Sequence, residues 1–156
     1  MRELDINFFK KDAVFVAKNL VGKILCIDGV CSRILDVEAY KDDEASHARK
    51  RTPRSEIMFD SFGKVYVYLI YGMYHCLNFT CDINGPGAVL IRRLDMQNCD
   101  GPGKLCSALN ISKKDNNTFI GSRFKIFDDN FKAKVVAKKR IGIKNDTHLL
   151  WRFVID

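Results

Sequence analysis

The sequence predicts a single β-rich α+β domain. Its 156 residues are the length of one ordinary domain, and a hydrophobic content of 47% is enough for a sizeable core. Several short segments rich in β-branched and aromatic residues alternate with glycine-containing turn signals, which is typical of antiparallel strands. One segment near the start has helical periodicity instead. No internal repeat, linker or low-complexity stretch divides the sequence.

The first predicted elements are a helix and a hairpin. Asp12 is a typical helix N-cap, and apolar residues follow it at helical spacing over about 13–21. Segments 23–27 and 30–37 flank Asp28-Gly29. That pair is favoured in two-residue hairpin turns because both residues tolerate positive φ. We therefore expect two antiparallel strands directly after the helix.

The rest of the chain predicts a long loop and further strands. Residues 41–56 have almost nothing to bury and hold four cations between positions 49 and 54. The elements predicted after this loop are a hairpin with strands 64–70 and 75–81, a strand over 88–91 that ends at Arg92-Arg93, a short helix over 104–109, and strands at about 123–128, 132–137 and 150–155.

Charge and hydropathy indicate a soluble protein that binds a polyanion. The net charge is +7 and the isoelectric point is near 9.1, and such a basic excess attracts nucleic acid. The first residues carry two acids where a signal peptide would carry positive charge. No stretch approaches the roughly 20 apolar residues that span a bilayer. We expect an intracellular location, in the cytoplasm or nucleoid (or the nucleus of a eukaryote), and no contact with a membrane.

The six cysteines do not indicate a metal site. They include no C-x-x-C pair, and only three histidines accompany them, so the ligand spacing of zinc or iron–sulfur sites is missing. Cys26/Cys31 and Cys76/Cys81 could in principle form disulfides. Because thiols stay reduced inside cells, we expect all six to be reduced.

The tyrosines are the main functional signal from composition. All five lie between residues 40 and 74, and Glu38 lies just before them. Segment 65–78 carries more phenol hydroxyls than a core usually accepts, since each buried one needs a partner. Some of these rings should therefore face a cavity or a binding partner. A basic protein with an aromatic core is the alternative, and composition alone leaves it open.

Ordered motifs then give the chain a family resemblance. They are Val37-Glu38-Ala39-Tyr40, His47-Ala48-Arg49, Thr52-Pro53-Arg54, the run from Tyr66 to Tyr74 (Y-V-Y-L-I-Y-G-M-Y), Val89-Leu90-Ile91-Arg92, Gly101-Pro102-Gly103-Lys104-Leu105-Cys106 and Arg140-Ile141-Gly142. From about residue 5 to residue 155 the sequence resembles the alkyladenine (3-methyladenine) DNA glycosylase family. Two departures are visible. The loop between Tyr40 and His47 is shorter than in vertebrate members, and Gly103 replaces a more usual serine.

The resemblance implies a fold and an activity. The fold is a curved antiparallel sheet, open and barrel-like, surrounded by helices, with residues 1–156 as one DNA glycosylase domain. The activity is base-excision repair by a monofunctional enzyme without metal or cofactor, acting as a monomer on double-stranded DNA. Such an enzyme flips alkylated or deaminated purines out of the duplex and hydrolyses the N-glycosidic bond. The expected lesions are 3-methyladenine, hypoxanthine, ethenoadenine and 7-methylguanine.

The resemblance also implies catalytic roles. Glu38 becomes the general base that activates a water molecule. Arg92 keeps its carboxylate ionised and helps to fix the water and the neighbouring phosphate, and the main-chain carbonyl of Ile141 helps to hold the water. Without the resemblance, Glu38 would be expected to be a solvated acid at a strand end.

Further residues acquire base-binding roles in the same way. The flipped base should lie between Tyr40 on one side and His47 with Tyr68 on the other. Asn78, which we expect to end the aromatic strand, stands where the 2-amino group of guanine would sit.

DNA-binding roles are implied at the surface. Tyr71, at the hairpin tip, should fill the space that the flipped base leaves, and Met73 and Tyr74 flank it. Lys104 and Arg140 should contact phosphate or the DNA backbone, with a merely solvated charge as the alternative for each.

Rival functions have weaker support. Gly101-Pro102-Gly103-Lys104 resembles a fragment of a helix-hairpin-helix glycosylase but lacks the second glycine pair and the flanking helices. It is not a phosphate-binding P-loop either, because G-x4-G-K-S/T is absent. A non-catalytic nucleic-acid-binding module that uses tyrosines as stacking platforms remains the alternative, and it would need no Glu38–Arg92 pair.

Overall fold

The computed structural model describes residues 1–43, 51–53, 55–70, 72–82 and 84–155. The strands within these residues are β1 (Arg2–Glu3), β2 (Ile24–Ile27), β3 (Val30–Tyr40), β4 (Val65–Ile70), β5 (Tyr74–Thr80), β6 (Ala88–Leu94), β7 (Phe124–Asp128), β8 (Val135–Lys138) and β9 (Arg152–Ile155). The helices are α1 (Ala13–Leu20), α2 (Ile57–Asp60) and α3 (Pro102–Ala108), with one-turn 3-10 helices at Ile6–Phe9 and Lys113–Asp115.

All these strands belong to one strongly curled antiparallel sheet. The strand order is β1-β7-β2-β3-β6-β5-β4, and β9 pairs with both β3 and β8. The predicted β-rich α+β class and the open, barrel-like sheet are therefore confirmed, with few helices around the sheet. No helix in the described part of the chain is long and apolar enough to cross a membrane.

The first helix and hairpin form as their local sequence predicts. The Asp12 carboxylate accepts a hydrogen bond from the Val14 N–H at 2.9 Å and so caps α1. Asp28 and Gly29 adopt positive φ angles of 51° and 83°. They connect β2 to β3 as a two-residue turn, with Ile27 opposite Val30.

Several predicted boundaries are wrong by a few residues. β6 continues through Arg92-Arg93 to Leu94, because it stays paired with β3 to that point. α3 begins at Pro102 rather than at residue 104, since proline is tolerated in the first turn, where its missing N–H has no partner to lose. In the tail, β8 begins at 135 instead of 132 and β9 at 152 instead of 150.

The prediction that all six cysteines are reduced is also wrong. Cys26 and Cys31 lie directly opposite each other in the β2–β3 hairpin, with Cα atoms 4.0 Å apart, and they form a disulfide. Directly opposite positions in a hairpin bring two Cβ atoms close enough for their sulfur atoms to bond, and this depends only on the local strand pairing. The other four cysteines are free and buried, and Cys76 and Cys81 do not pair.

The sheet has one apolar face and one polar face. The apolar face packs against α1 and forms the main core; its central residues are Val37, Ala39, Leu77, Phe79, Val89, Ile91, Phe153 and Ile155. Because side chains alternate along a strand, the residues between these face the other way. We call that side the polar face; it carries Asp36, Glu38, Tyr40, Asn78, Arg92 and Arg152, and the candidate site lies on it.

Candidate active site

A cavity of about 310 Å³ opens on the polar face, and we call it the aromatic cavity. Its wall includes Tyr40, Tyr66, Tyr68, Met58, Asn78, Arg92 and Ile141. The rings of Tyr66 and Tyr68 lie 5.3 Å apart at an interplanar angle of 43°. The expectation that some tyrosine rings face a cavity is thus met by these three. The volume is near the lower end for ligand pockets, which suits one flat base rather than a large ligand.

Glu38 lies behind the wall of this cavity, fully buried, and is hydrogen-bonded to three of the wall residues. Its Oε1 accepts hydrogen bonds from the Tyr40 hydroxyl at 2.8 Å and from Arg92 Nη1 at 3.3 Å. Its Oε2 accepts one from the Ile141 N–H at 2.7 Å. A buried carboxylate is costly unless it is paired and hydrogen-bonded, and this one is both. Glu38 is therefore not the solvated strand-end acid that its sequence context alone would suggest.

Arg92 reaches Glu38 from β6, beside an irregular stretch of its pairing with β3. Asp36 is paired with Arg93, while Val37 is paired with Ile91 and Ile34 with Leu94, so Arg92 of β6 and Leu35 of β3 are each left without a paired residue. Because Ile91 is in the core, alternation along β6 places Arg92 on the polar face, and the irregular pairing begins after it. Here the guanidinium lies in the cavity wall, with 16% of the side chain exposed.

Ile141 contacts Glu38 through its main chain, as the sequence suggested, but with a different atom. The contact is made by the N–H group and not by the carbonyl. The side chain of Ile141 is 48% exposed. A water-holding role for the carbonyl stays a prediction.

Tyr40 is held in place from two sides. Its hydroxyl donates to Glu38, and the Arg140 guanidinium lies over its ring, 4.9 Å from the centroid. Burial, followed by the negative charge of Glu38, raises the pKa of Tyr40 well above its usual value. The phenol therefore stays protonated at neutral pH and keeps donating its hydrogen bond. One face of the ring is occupied by Arg140, and the ring also lines the cavity.

Arg140 differs from the sequence-based expectation. Its side chain is fully buried; Nη2 bonds Asp43 at 2.7 Å and Nη1 bonds the Ala39 carbonyl at 3.1 Å. The guanidinium also lies 5.1 Å from the Trp151 ring centroid. These contacts leave it an internal cation in this structure. Contact with a DNA phosphate is therefore an expectation that the geometry does not favour.

Asn78 lies in the cavity wall but does not end its strand, and that part of the prediction is wrong. It is an internal residue of β5, paired with Tyr66 on one side and Leu90 on the other, and it is 2% exposed. Its amide nitrogen donates to the Tyr66 carbonyl at 3.3 Å and the Cys76 carbonyl at 3.5 Å. These bonds fix the orientation of the amide against the cavity.

The structure describes only some of the residues that were predicted to contact DNA or the flipped base. Tyr71 and His47 lie outside the described residues. Met73 and Tyr74, beside the hairpin tip, are 65% and 49% exposed. Lys104 has 68% of its side chain exposed and pairs with Asp100 at 3.3 Å.

Tyr66 and Met58 are among the cavity-wall residues to which the sequence analysis assigned no role. Tyr66 and Met58 form, with Ala88, a small apolar cluster against which Tyr40 and Tyr68 pack. Tyr66 could have been found, because it lies two residues before Tyr68 in the same strand and must share its face. Met58 carries no such signal, since its position depends on how the segment before β4 folds back over the sheet.

Comparison with known proteins gives a consistent picture. Residues 7–156 match the model of the family described as Methylpurine-DNA glycosylase (MPG). A protein from Sodalis glossinidius is 45% identical over an alignment that covers 96% of this chain and 95% of its own. A protein from Rhizobium etli is 42% identical, with 95% and 83% covered. One from Wolbachia sp. subsp. Brugia malayi is 41% identical, with 96% and 95% covered. Each of the three is named "Putative 3-methyladenine DNA glycosylase".

Proposed function

Because the chain belongs to the methylpurine-DNA glycosylase family, whose work is base-excision repair of DNA, we propose that it removes alkylated and deaminated purines from duplex DNA. The observation that carries the proposal is the buried Glu38 carboxylate, which is hydrogen-bonded to three residues in the wall of a base-sized aromatic cavity. A module that only binds nucleic acid needs the aromatic rings but has no use for an internal carboxylate held by Arg92. The pair therefore favours an enzyme.

The proposed reaction is hydrolysis of the N-glycosidic bond. The flipped nucleotide enters the aromatic cavity, and a water oxygen forms the new bond to the anomeric carbon of the sugar as the bond to the base breaks. The electron pair of the broken bond leaves with the purine, and Glu38 takes the proton of the water. A cationic alkylated purine departs as a neutral base, whereas hypoxanthine or ethenoadenine departs as an anion and takes up a proton from solvent water. The products are the free base and an abasic site.

The contacts of Glu38 suggest where the water binds. Of its hydrogen bonds to described residues, the one from Arg92 is the longest, at 3.3 Å, against 2.8 Å for Tyr40 and 2.7 Å for Ile141. A water can insert most easily where an existing contact is weakest. We place it between Arg92 and Oε1, on the cavity side, where the guanidinium keeps the carboxylate ionised.

The cavity wall suggests the lesion class. A cationic purine such as 3-methyladenine stacks well on electron-rich rings, with a gain of about 1–2 kcal/mol when desolvated. The Arg140 guanidinium already occupies one face of Tyr40 and reduces the gain on that ring. Tyr68 therefore contributes the larger share of the selectivity for cationic bases. Asn78, with its amide fixed by main-chain carbonyls, is proposed to exclude the 2-amino group of guanine.

The test is Glu38→Gln, which keeps the size of the side chain but cannot accept the proton. We expect single-turnover excision from duplexes with one lesion to fall by at least roughly 100-fold. Binding of the same duplexes should change little. The lesion panel should contain 3-methyladenine, 7-methylguanine, hypoxanthine and ethenoadenine, because the order of their rates also ranks the substrates.

A matched control is Glu3→Gln, the same change at an exposed position of β1. It should leave excision unchanged. Equal losses of binding and excision in Glu38→Gln would make Glu38 a structural residue. Lesion binding without excision by the unmodified protein would favour the non-catalytic module.

A further inference from the structure

The Arg140 guanidinium contacts a second aromatic ring, which lies outside the aromatic cavity. Its central carbon is 5.1 Å from the centroid of the Trp151 ring and 4.9 Å from that of Tyr40. Tyr40 lines the cavity, whereas Trp151 is not one of the described residues in the cavity wall. One buried cation therefore connects a ring of the proposed base-binding site with a ring outside that site.

The main chain of Trp151 is held independently of its side chain. Its carbonyl accepts a hydrogen bond from the Ala39 N–H at 2.8 Å. The next residue, Arg152, begins β9 and is paired with Glu38 of β3. Because these contacts involve backbone groups, a change of the Trp151 side chain leaves the strand pairing beside Glu38 in place. The effect of the indole ring can therefore be tested by itself.

The Arg140 guanidinium depends on its ring contacts because its hydrogen bonds hold only one end of the group. Nη1 donates to the Ala39 carbonyl at 3.1 Å, and Nη2 donates to the Asp43 carboxylate at 2.7 Å. Nε is buried and has no hydrogen-bond partner among the described residues. A buried nitrogen without a hydrogen bond is costly, and contact of the cation with electron-rich rings offsets part of that cost.

The indole ring also keeps solvent away from this cation. Trp151 is half-buried, whereas the Arg140 side chain has no exposed surface. A smaller side chain at position 151 would let water reach the guanidinium, and water would compete for the N–H groups that bond Ala39 and Asp43. A guanidinium displaced in this way would no longer support the face of the Tyr40 ring.

We propose that Trp151 is a positioning residue for base excision. It holds the Arg140 guanidinium against the Tyr40 ring, and Tyr40 in turn keeps its hydroxyl bonded to Glu38 at 2.8 Å. The inference rests on the proposed function, because it takes Glu38 to be the general base. A catalytic group works at full rate only when its supporting contacts maintain its geometry. A loosely held Tyr40 therefore slows the chemical step, although Trp151 itself lies outside the cavity.

The main experiment compares Trp151→Leu with Trp151→Phe and with a matched control, Phe124→Leu. The Phe124 ring also has a guanidinium over it, that of Arg123 at 5.3 Å, but Phe124 belongs to β7 and the main core and is not among the described residues of the cavity wall. Excision of hypoxanthine from a duplex is measured in single turnover with protein in excess, at a temperature at which circular dichroism shows every variant to be folded.

We expect Trp151→Leu to slow excision about tenfold, as for the loss of one desolvated cation–π contact. Trp151→Phe retains a ring and should stay within about threefold of the unmodified protein. Phe124→Leu should lower Tm without slowing excision by the folded protein. Full-rate excision by folded Trp151→Leu, or equal slowing by Trp151→Leu and Phe124→Leu, would overturn the inference.

A double variant tests whether Trp151 acts through Arg140. Arg140→Met alone removes the cation, so adding Trp151→Leu to it should slow excision no further. If the two effects multiply in the double variant, Trp151 does not act through Arg140 and the inference is wrong.

The fluorescence of Trp151, the single tryptophan of the chain, gives a readout that does not depend on excision. A duplex with one hypoxanthine should change the emission more than an undamaged duplex does, because a base stacked on Tyr40 shifts the cation that contacts the indole. Arg140→Met should abolish this difference. An unmodified protein that shows the difference but does not excise would refute the proposed function and support the link from Trp151 to the cavity. Excision by the unmodified protein without any such difference would overturn the inference and leave the proposed function intact.

Discussion

Replacing the buried Arg140 by methionine should destabilise the protein strongly. The change keeps most of the apolar stem but removes the charge. It leaves the Asp43 carboxylate, of which only 6% is exposed, without its counter-ion. It also removes the hydrogen bond to the Ala39 carbonyl and the cation over the rings of Tyr40 and Trp151.

The magnitude follows from burial. Breaking a buried ion pair by removing one partner costs about 3–5 kcal/mol, because the remaining charge stays buried. A domain of this size loses about 2–4 °C in Tm for each kcal/mol, so Tm should fall by about 6–20 °C. The total free energy of unfolding of small domains is about 5–15 kcal/mol, so the variant should still fold at low temperature.

The assay is urea unfolding, followed by far-UV circular dichroism and by the fluorescence of Trp151, the single tryptophan of the chain. Lys139→Met is the matched control, since Lys139 is the exposed neighbour of Arg140, and it should change the free energy of unfolding by less than about 0.5 kcal/mol. Asp43→Ala should also be destabilising. The double variant should lose less than the sum of the two single changes, by at least about 1 kcal/mol.

Two results would refute this reasoning. Strictly additive losses in the double variant would show that Arg140 and Asp43 are not coupled. The second is an Arg140→Met protein that is as stable as the unmodified protein but whose slope of log K for DNA binding against log salt is smaller by about 0.9. That result would favour the phosphate-contacting role that the sequence suggested for Arg140.

Three further outcomes are expected. Gly103→Ala adds a Cβ 3.1 Å from Tyr74 Cδ1, so it should shift Tyr74 and slow excision of a paired lesion without lowering Tm. The control, Gly85→Ala, has open space around the new Cβ and should not slow excision. Equal excision rates for the two variants would contradict the expectation. Asn78→Ser should raise excision of guanine-type bases relative to hypoxanthine by the equivalent of about 1–3 kcal/mol. A parallel fall in Tm and in all activities would make Asn78 only structural. Excision should survive excess EDTA, and borohydride should trap no protein–DNA adduct, since water and not a lysine amine is the proposed nucleophile.

Local patterns account for the parts of the fold that the sequence predicts. The Asp12 cap and the Asp28-Gly29 turn depend on residues within a few positions of each other, and both form as expected. Strand alternation also places Glu38 and Tyr40 on one face and Val37 and Ala39 on the other. A carboxylate two residues before a tyrosine in a strand was therefore a usable signal for a shared site.

The remaining features depend on contacts between distant residues. The hydrogen bond from Ile141 to Glu38 spans 103 positions, and the bond from Arg140 to the Ala39 carbonyl spans 101. No local pattern distinguishes a buried arginine from a solvated one, so the sequence did not show that Arg140 is buried and paired with Asp43. The continuation of β6 through Arg92 and Arg93 is likewise a property of its pairing with β3, which the two charged residues do not reveal in the sequence.

The two adjacent residues Arg140 and Ile141 both contact residues 38–40 of β3. The Arg140 side chain covers the Tyr40 ring and bonds the Ala39 carbonyl, while the Ile141 N–H bonds Glu38. Since Tyr40 itself donates to Glu38, the contacts close a ring around the proposed general base. A shift of residues 140–141 must therefore move Glu38 and Tyr40 together. This coupling predicts that Arg140→Met slows excision by more than the loss of folded protein alone would cause. The reason is that a folded molecule with a displaced Tyr40 no longer orients Glu38.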